Sequence, residues 1–416
     1  MKKLICAVAV LAVSTAQAGV VIHVDAGNCP GPGDGSELDP YCSIQTAIDN
    51  AVDTDEIVVA PGTYFETINF IGKAVWLHSS GGADVTIIDA TDLFSSVVTC
   101  ESGEGPDTVL SGFVITGGTG TDFYGGGMLN ISSSPTVTNC TFSGNIAGEG
   151  GGMFNFNSSP SVIDCTFTDN GASSGGGMSN DNSDPTVANC RFIGNAGSNN
   201  GGGMRNTDNS CPIVINCTVS GNHCTHWGGG MSNGSFSTPT IVNCTFDGNG
   251  AGLSGGALRN YVGSSPTVTN SIVWSNTPPQ ISGSANVQYS DVQGGWPGTG
   301  NIDTDPMYVD ADNGDFRLSP GSPCIDTGDN TAVPKGVLRD LDGNPRFVAD
   351  ACAGDSGATV DMGAYEFQGT SCDLGTMLEM LAAWGRCNDC GTCPADFDCD
   401  CSVGILDVLI LLGNWG

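Results

Sequence analysis

The chain has 416 residues, of which 63 are glycine and only 13% are charged. Glycine at this frequency without a three-residue period excludes collagen and indicates many tight turns. The 44 acidic residues outnumber the 11 basic ones and give a net charge of −33. This charge excludes nucleic acid and anionic lipid as partners. Among small ligands, it makes cations the expected partners.

Residues 1–18 are typical of a secretory signal peptide. Lys2 and Lys3 precede an apolar run from Leu4 to Val13, and Ala16-Gln17-Ala18 forms a small-residue cleavage site. The apolar run is too short to span a membrane, and no later run in the sequence is long enough. We therefore expect a secreted, extracellular or cell-surface protein with no membrane span.

The next segment, residues 19–54, is predicted to cap the fold. In "SIQTAIDNAV", Ile44, Ala47, Ile48 and Ala51 recur at helical spacing. The pattern predicts a short amphipathic helix that plugs the open end of a core formed by the residues that follow.

A repeat of 25 to 27 residues fills the middle of the chain. One landmark is the last residue of "GGGM", and the other is the Cys of "NCTF". The first falls at Met128, Met153, Met178, Met204, Met231 and Leu258. The second falls at Cys140, Cys165, Cys190, Cys217, Cys244 and Ser271. A fixed period of this length predicts stacked coils.

Each repeat contains three short segments with strand character, such as "GGMFN", "PSVID" and "CTFTD". Alternation places Val162, Cys165 and Phe167 inside and Thr166 outside, and no helical period is present. The sequence therefore predicts an all-β fold, a right-handed single-stranded parallel β-helix with three strands per coil over residues 55–300.

Asparagine recurs in three columns of this repeat. Two of the columns are Asn130, Asn155, Asn180, Asn206, Asn233, Asn260 and Asn139, Asp164, Asn189, Asn216, Asn243, Asn270. The third is Asn145, Asn170, Asn195, Asn222, Asn249 and Asn276. Asn tolerates the left-handed backbone of a corner, and stacked amides can bond along a column as a structural ladder.

The repeat also explains two other motifs. The column of five Cys is predicted to be buried free thiols, because side chains one coil apart lie slightly too far apart for an easy disulfide. The "NCT" sequons at Asn139, Asn216 and Asn243 coincide with corner positions, so we interpret them as chance matches to a glycosylation site.

After Asn276 the period fades, and residues 301–368 are predicted to form a turn-rich, acidic closing segment. Export permits disulfides, and three pairs outside the tail are candidates. These pairs are Cys29 with Cys42, Cys211 with Cys224, and Cys324 with Cys352.

These motifs resemble known families. "SIQTAIDNAV…DEIVVAPGTY" and "PTVTNCTFSGN…GGGM" resemble secreted right-handed β-helix proteins of the pectin-lyase-like superfamily and the repeats of chlamydial polymorphic outer membrane proteins. Phe142…Asn145 matches the Phe-x-x-Asn hallmark of those repeats, and Gly255-Gly256-Ala257-Leu258 matches their Gly-Gly-Ala box. The resemblance covers residues 40 to 368 and implies the fold, whereas activity depends on the site.

Residues 372–416 differ from the rest of the chain. "DLGTMLEMLAAWG" and "GILDVLILLGNWG" are two copies of one amphipathic segment, and "DFDCDCSVGILD" precedes the second. Its acidic residues stand at positions 1, 3, 5 and 12 of an EF-hand loop, and the position-7 residue would offer its carbonyl, so the sequence predicts one Ca²⁺ site. The ligands would be Asp396, Asp398, Asp400, Ser402 and Asp407.

The tail resembles a type I dockerin, which implies a cohesin-like or cell-envelope partner. Two departures are Cys401 at the position of the turn glycine and a first copy that lacks its aspartates. Disulfides alone, or zinc, are the alternatives for the tail cysteines. Those cysteines are Cys372, Cys387, Cys390, Cys393, Cys399 and Cys401.

The outward column after "GGGM" holds the candidate ligand-binding residues. Arg205 and Arg259 lie two coils, about 10 Å, apart and could hold an acidic glycan. No flanking carboxylate column is expected, and no catalytic constellation is evident. The sequence therefore favours a binding, adhesion or scaffold protein with a docking tail. The alternative is a polysaccharide lyase or glycoside hydrolase acting on acidic glycans.

Overall fold

The computed structural model describes residues 19–120, 123–348, 359–369, 385–386 and 402–404. Within these residues the chain winds into a parallel β-helix, and three long sheets, A, B and C, run along it. Equivalent positions of successive repeats are direct neighbours, since Met128 pairs with Met153 and Met178 pairs with Met204. The predicted fold class is confirmed for this part of the chain.

The strands are short, and most have two to four residues. Sheet A comprises Val21–Val24, Glu56–Val59, Trp76–Ser79, Val109–Ser111, Thr136–Thr138, Ser161–Ile163, Thr186–Ala188, Ile213–Ile215, Thr240–Val242, Thr267–Thr269 and Asn286–Gln288. Sheet B comprises Gly62–Tyr64, Thr86–Asp89, Val114–Thr116, Thr141–Ser143, Thr166–Thr168, Arg191–Ile193, Thr218–Ser220, Thr245–Asp247, Ile272–Trp274 and Asp291–Val292. Sheet C comprises Ile68–Asn69, Val98–Cys100, Met128–Ile131, Met153–Phe156, Met178–Asp181, Met204–Thr207, Met231–Asn233, Leu258–Asn260 and Ile281–Ser282.

A fourth parallel sheet, D, was not predicted from the sequence. It comprises Ile146–Glu149, Gly171–Ser174, Ala196–Asn200, His223–Cys224 and Gly250–Ala251. Each of its strands lies between the sheet B strand and the sheet C strand of one coil. The prediction of three strands per coil is therefore incomplete for the middle coils.

The core is a set of stacked side chains along the axis. Val162 and Phe167 are fully buried, and Cys165 is 1% exposed, as the alternation predicts. The rings of Phe142, Phe167 and Phe192 stack in register with centroids 4.7 Å apart. The Cys column is made of buried free thiols. These thiols donate to carbonyl oxygens of the preceding coil, for example Cys190 Sγ to Val162 O at 3.5 Å.

The three asparagine columns differ in their backbone conformation and in their burial. Asn139 and Asn189 hold corners with left-handed backbones at φ 53°. The column of Asn145 is instead buried, and the side-chain amide of Asn145 donates to Asn170 Oδ1 at 3.0 Å. The column of Asn130 forms a second buried ladder, in which Asn130 Nδ2 donates to Asn155 Oδ1 at 2.8 Å. The left-handed backbone thus belongs to the corner column, whereas side chains hydrogen-bond along all three columns, as Asn189 Nδ2 does to Asp164 Oδ1 at 3.1 Å.

The "GGG" glycines are required by close approach of successive coils. Gly150 has φ +64°, and a Cβ on Gly152 would lie 2.5 Å from the carbonyl oxygen of Gly177 and 2.8 Å from the Phe167 ring. Any side chain here would collide with backbone, so only glycine fits.

The N-terminal end is closed as predicted. A helix, Ile44–Asn50, buries Ile44, Ala47 and Ile48 against the first coils, and the Ser43 hydroxyl caps it by accepting from Thr46 N at 3.2 Å. A 3₁₀ turn, Ala26–Asn28, precedes it, and a disulfide joins Cys29 to Cys42 with the Cα atoms 5.1 Å apart.

The closing segment packs on the outer face of sheet B. It contains the antiparallel pair Tyr308–Asp310 and Asp315–Leu318 and the 3₁₀ turns Ala311–Asn313 and Asn330–Ala332. Ala364 N donates to Thr245 Oγ1 at 3.1 Å, which ties the segment directly to a sheet B strand.

Two predicted disulfides are not formed by the residues described. Cys211 and Cys224 are free thiols, because Cys211 lies in the corner between sheets C and A while Cys224 lies in sheet D, with sheet C between them. Cys324 is also a free, buried thiol and donates to Asp291 Oδ2 at 3.3 Å. Its predicted partner, Cys352, lies outside the described residues.

The signal peptide and most of the tail also lie outside the described residues. In the tail, Gly385–Arg386 pairs with Ser402–Val403 as a short antiparallel ladder. The predicted Ca²⁺ ligands other than Ser402, and the six tail cysteines, are not among the described positions. Across the described part of the chain, no helix has the length and apolar character needed to cross a membrane.

Candidate functional site: a groove on the outer face of sheet C

The outward residues of sheet C form the floor of a groove that runs parallel to the helix axis. One wall is a column that passes through sheet D, in which Tyr124, Glu149, Ser174, Asn200 and Trp227 are successive neighbours. The turns that follow the sheet C strands form the opposite side. We call this feature the sheet C groove.

The part of the groove nearer the N-terminal end of the coil stack, which we call the lower part, is a cavity of about 390 Å³. Its lining combines aromatic and aliphatic side chains with carboxyl groups. The lining residues are Glu101, Tyr124, Leu129, Ile131, Glu149, Phe154, Phe156 and Asp181. The rings of Tyr124 and Phe154 lie 4.7 Å apart. Because the wall covers the floor, Phe154 is only 5% exposed although it points away from the core.

Arg205 crosses the middle of the groove and binds Glu149. Its Nη1 donates to Glu149 Oε2 at 2.6 Å and to Ser179 Oγ at 3.3 Å. The two charged side chains are 20% and 32% exposed, so the pair is shielded from water on most sides. This contact joins residues two coils apart, because Arg205 lies on the strand Met204–Thr207 and extends past Ser179 to Glu149 in the wall.

Asp181 lies on the strand next to that of Arg205 and lines the same cavity as Glu149. Partial burial raises the pKa of the Asp181 carboxyl, and the neighbouring carboxylate of Asp208 raises it further, while Arg205 opposes the shift. The groove thus contains a carboxyl whose pKa is raised, Asp181, and a carboxylate bound by a guanidinium, Glu149.

The upper part of the groove is a more polar cavity of about 280 Å³. It is lined by Asn200, Arg205, Asn206, Thr207, Ser232, Gly234, Ser235 and Tyr261. Tyr261 Oη donates to Asn200 Oδ1 at 2.7 Å, and the Arg259 guanidinium lies 4.7 Å from the centre of the Tyr261 ring. Trp227 meets that ring edge-on at 6.2 Å.

The predicted ligand-binding residues occupy this groove. Arg205 and Arg259 lie in one outward column with Ser232 between them, as the spacing predicts. They are not equivalent, however, since Arg205 is paired with Glu149 whereas Arg259 Nη1 donates to Ser282 Oγ at 2.7 Å.

Two single carboxylates lie beside Arg205, although no carboxylate column was expected to flank these arginines. Glu149 and Asp181 both lie in the groove beside Arg205. The sequence does contain a signal for the wall, because every wall residue stands four positions before its landmark, as Glu149 does before Met153. From that constant offset, the sequence alone could have predicted that the wall residues form one column beside the outward residues of sheet C.

The segment that carries His223 and His226 does not form a metal site. His226 Nδ1 lies 2.6 Å from Ser198 O, and His223 is exposed on sheet D. Among the residues that the structure describes, no group of three or more His, Cys, Asp or Glu side chains could hold a metal ion.

Comparison with known proteins supports the fold. Residues 73–231 match the family model "Right handed beta helix region". Among curated proteins, no sequence match is found. The fold is a right-handed parallel β-helix.

Three solved structures illustrate the likeness. Pectate lyase Pel9A is 16% identical over 84% of this chain and 97% of its own, with a TM-score of 0.51. A rhamnogalacturonan lyase is 12% identical over 70% of this chain and 91% of its own, with a TM-score of 0.42. A pectin methylesterase from carrot is 10% identical over 61% of this chain and 83% of its own, with a TM-score of 0.41. At these identities the likeness concerns the fold alone.

Proposed function

We propose that this protein is exported and binds a polysaccharide along the sheet C groove. The observation that carries the proposal is a pair of cavities along the outer face of sheet C in which aromatic rings alternate with hydrogen-bonding side chains. Tyr124 and Phe156 present rings at its lower end, and Tyr261 and Trp227 do so at its upper end. Sugars offer apolar ring faces and hydroxyl groups, and such a lining complements both.

The charges of the groove favour a neutral glycan over an acidic one. Three carboxyl groups, of Glu101, Glu149 and Asp181, line the lower cavity, and the Arg205 guanidinium is already bound by one of them. A chain with a carboxylate on every sugar would meet like charges there, in a protein whose net charge is −33. These charges therefore disfavour the acidic glycan that the two arginines alone would suggest.

Affinity electrophoresis tests this proposal with neutral polymers (xylan, β-1,4-galactan, mannan) and acidic ones (polygalacturonate, alginate). We expect at least one neutral polymer to retard the wild-type protein and the acidic polymers to leave it unretarded. Arg205→Ala should weaken the retardation, because it frees Glu149 and opens the floor, whereas Lys335→Ala on the closing segment serves as a control. No retardation by any neutral polymer would contradict the proposal.

A second candidate function is hydrolysis of the bound glycan. Acid–base cleavage of a glycosidic bond needs one carboxyl that holds its proton and another that is ionised. Asp181, whose pKa is raised, would be the acid, and Glu149, held by Arg205, the base.

Release of reducing sugars from the neutral polymers tests this second candidate. We expect Asp181→Asn and Glu149→Gln each to abolish release while retaining binding. Unsaturated products would indicate elimination, and absence of any release from a polymer that binds would leave binding alone as the function.

The tail supplies a separate proposal about attachment. We propose that residues 372–416 bind one Ca²⁺ through Asp396, Asp398, Asp400 and Asp407 and dock the protein to a cohesin-like or cell-envelope partner. Calorimetric titration of the full chain with Ca²⁺ should show one site that is lost in Asp400→Ala and kept in Glu149→Gln. Equal heats for wild type and Asp400→Ala would contradict the proposal.

A further inference from the structure

Among the described residues, three phenylalanines, Phe94, Phe123 and Phe236, combine a left-handed backbone with a largely exposed ring, and the last two adjoin the groove. Phe123 has φ 77° and is 78% exposed, and Phe236 has φ 64° and is 67% exposed. A bulky side chain in the left-handed region is strained, and a ring in water forgoes the stabilisation of burial. Both features disfavour the fold locally, and such residues occur preferentially at functional sites.

The two residues lie on opposite sides of the sheet C groove. Phe123 precedes Tyr124, which lines the lower cavity, and its carbonyl oxygen accepts from Gly148 N at 2.7 Å and from Glu149 N at 3.0 Å. Its backbone is therefore held by the same strand that positions Glu149.

Phe236 belongs to the upper cavity. It follows Ser235, which lines that cavity, in the turn after the strand Met231–Asn233. The ring lies over Gly263 of the next coil, where an added Cβ would stand 2.5 Å from the ring. Gly263 thus leaves space for the ring, which holds it in place while most of its surface stays exposed.

The two rings are four coils apart along the axis, from the strand of Met128 to that of Met231. At about 4.8 Å per coil the axial separation is about 19 Å. That distance spans both cavities and is long enough for several sugar rings in sequence.

We infer that Phe123 and Phe236 are stacking platforms for a glycan chain that crosses the groove obliquely, from the wall at the lower end to the opposite turns at the upper end. The inference rests on the proposed polysaccharide binding and adds the direction of the chain and its minimum length. The inference explains why phenylalanine occupies backbone positions that suit glycine, because each ring would stack on a sugar ring when the glycan binds.

The experiment compares Phe123→Gly, Phe236→Gly and the double variant with wild type. The probes are the polymers xylan, β-1,4-galactan and mannan and their di- and hexasaccharides, and the readouts are affinity and melting temperature. Glycine relieves the backbone strain, so each variant should melt at the wild-type temperature or above it. Each should bind the polymer and the hexasaccharide about tenfold more weakly, with little change for the disaccharide. Leu38→Ala, an exposed apolar residue of the N-terminal cap, is the control and should bind as wild type does.

Three outcomes would overturn the inference. If wild type binds a polymer and the variants bind it equally well, the platforms are wrong while the proposed function stands. If the variants melt well below wild type, the rings have a structural role instead. If wild type binds none of the polymers, the proposed function fails and the inference fails with it.

Discussion

At the residue scale, the buried asparagine ladder shows how the repeat converts polar side chains into stability. Asn195 Oδ1 accepts from both the backbone and the side chain of Asn170, at 3.1 and 3.0 Å. Its own amide donates to Phe167 O and to Asn222 Oδ1, at 2.8 and 2.9 Å. A fully satisfied buried amide stabilises the fold, whereas the same group without partners costs the full desolvation free energy.

Removing one rung should therefore destabilise the coils on both sides. We predict that Asn195→Ala lowers the free energy of unfolding by about 2–4 kcal/mol, because Phe167 O and the Asn170 amide lose their partners. Urea unfolding followed by circular dichroism measures the loss. Asn182→Gly, at an exposed left-handed position, is the matched control and should be neutral. An Asn195→Ala variant as stable as that control would contradict the role given to the ladder.

The thiols offer a second test at this scale. Burial raises the pKa of the Cys100 and Cys324 thiols, whereas Cys211 is partly exposed. We predict that maleimide labels Cys211 first in the native protein and that the core thiols react only in denaturant. Peptide-resolved mass spectrometry reads this order, and rapid native labelling of the Cys140 column would show that the coils do not stack as described.

At the element scale, buried acids lie in the closing segment and in the sheet B strand that it covers. Burial raises the pKa of Asp247 to about 7, of Asp361 to about 7 and of Glu366 to about 9, although Arg346 opposes the shift of the last two. Arg346 is itself fully buried and lies between Glu366, at 3.8 Å, and the side chain of Asn243. The interface therefore holds protons that the unfolded chain would release.

This interface should weaken as the pH rises. In an unfolded chain these carboxyls ionise near pH 4, whereas here their pKa values are about 7 to 9. Their contribution to the stability of the folded state is therefore complete below pH 4 and is lost as the pH rises from 4 through 7 to 9. We predict faster hydrogen exchange in residues 324–346 at pH 8 than at pH 5, after correction for the intrinsic rate.

Asp247 should account for a measurable share of this effect, because its Oδ2 is buried without a hydrogen-bond partner. We expect Asp247→Asn to raise the melting temperature at pH 8 and to remove up to about 4 kcal/mol of the pH dependence. Asp312→Asn, an exposed acid of the closing segment, should change neither the melting temperature nor its pH dependence. A melting temperature of Asp247→Asn below that of wild type at pH 8 would contradict the assignment.

How far the sequence predicted these elements depends on how each one is stabilised. The columns of Met153 and Cys165 were predictable, because a buried side chain recurs at each coil and leaves a period in the sequence. Sheet D was not, since strands such as Gly171–Ser174 are small and polar and show no apolar alternation. The burial of Arg346 was also unpredictable, because its partners come from distant segments.

At the scale of the whole molecule, each coil contacts mainly its neighbours, so stability is close to a sum over coils. Deleting residues 153–177 removes one complete coil and joins Gly152 to Met178 in register. We predict that this variant folds with a β-rich circular dichroism spectrum and a modestly lower melting temperature. Deleting residues 153–164 instead breaks the register and should abolish cooperative unfolding. Equal behaviour of the two deletions would contradict the stacked architecture.

The groove forms only when the coils are stacked, because its floor, wall and opposite turns come from separate columns of the coil stack. A crystal structure of the protein with a hexasaccharide from whichever neutral polymer binds it tests the proposed site most directly. We predict sugar density along sheet C, with one ring in the lower cavity near Glu149 and Asp181 and another near Tyr261. Sugar bound on sheet A or on the closing segment, with an empty sheet C groove, would contradict the account.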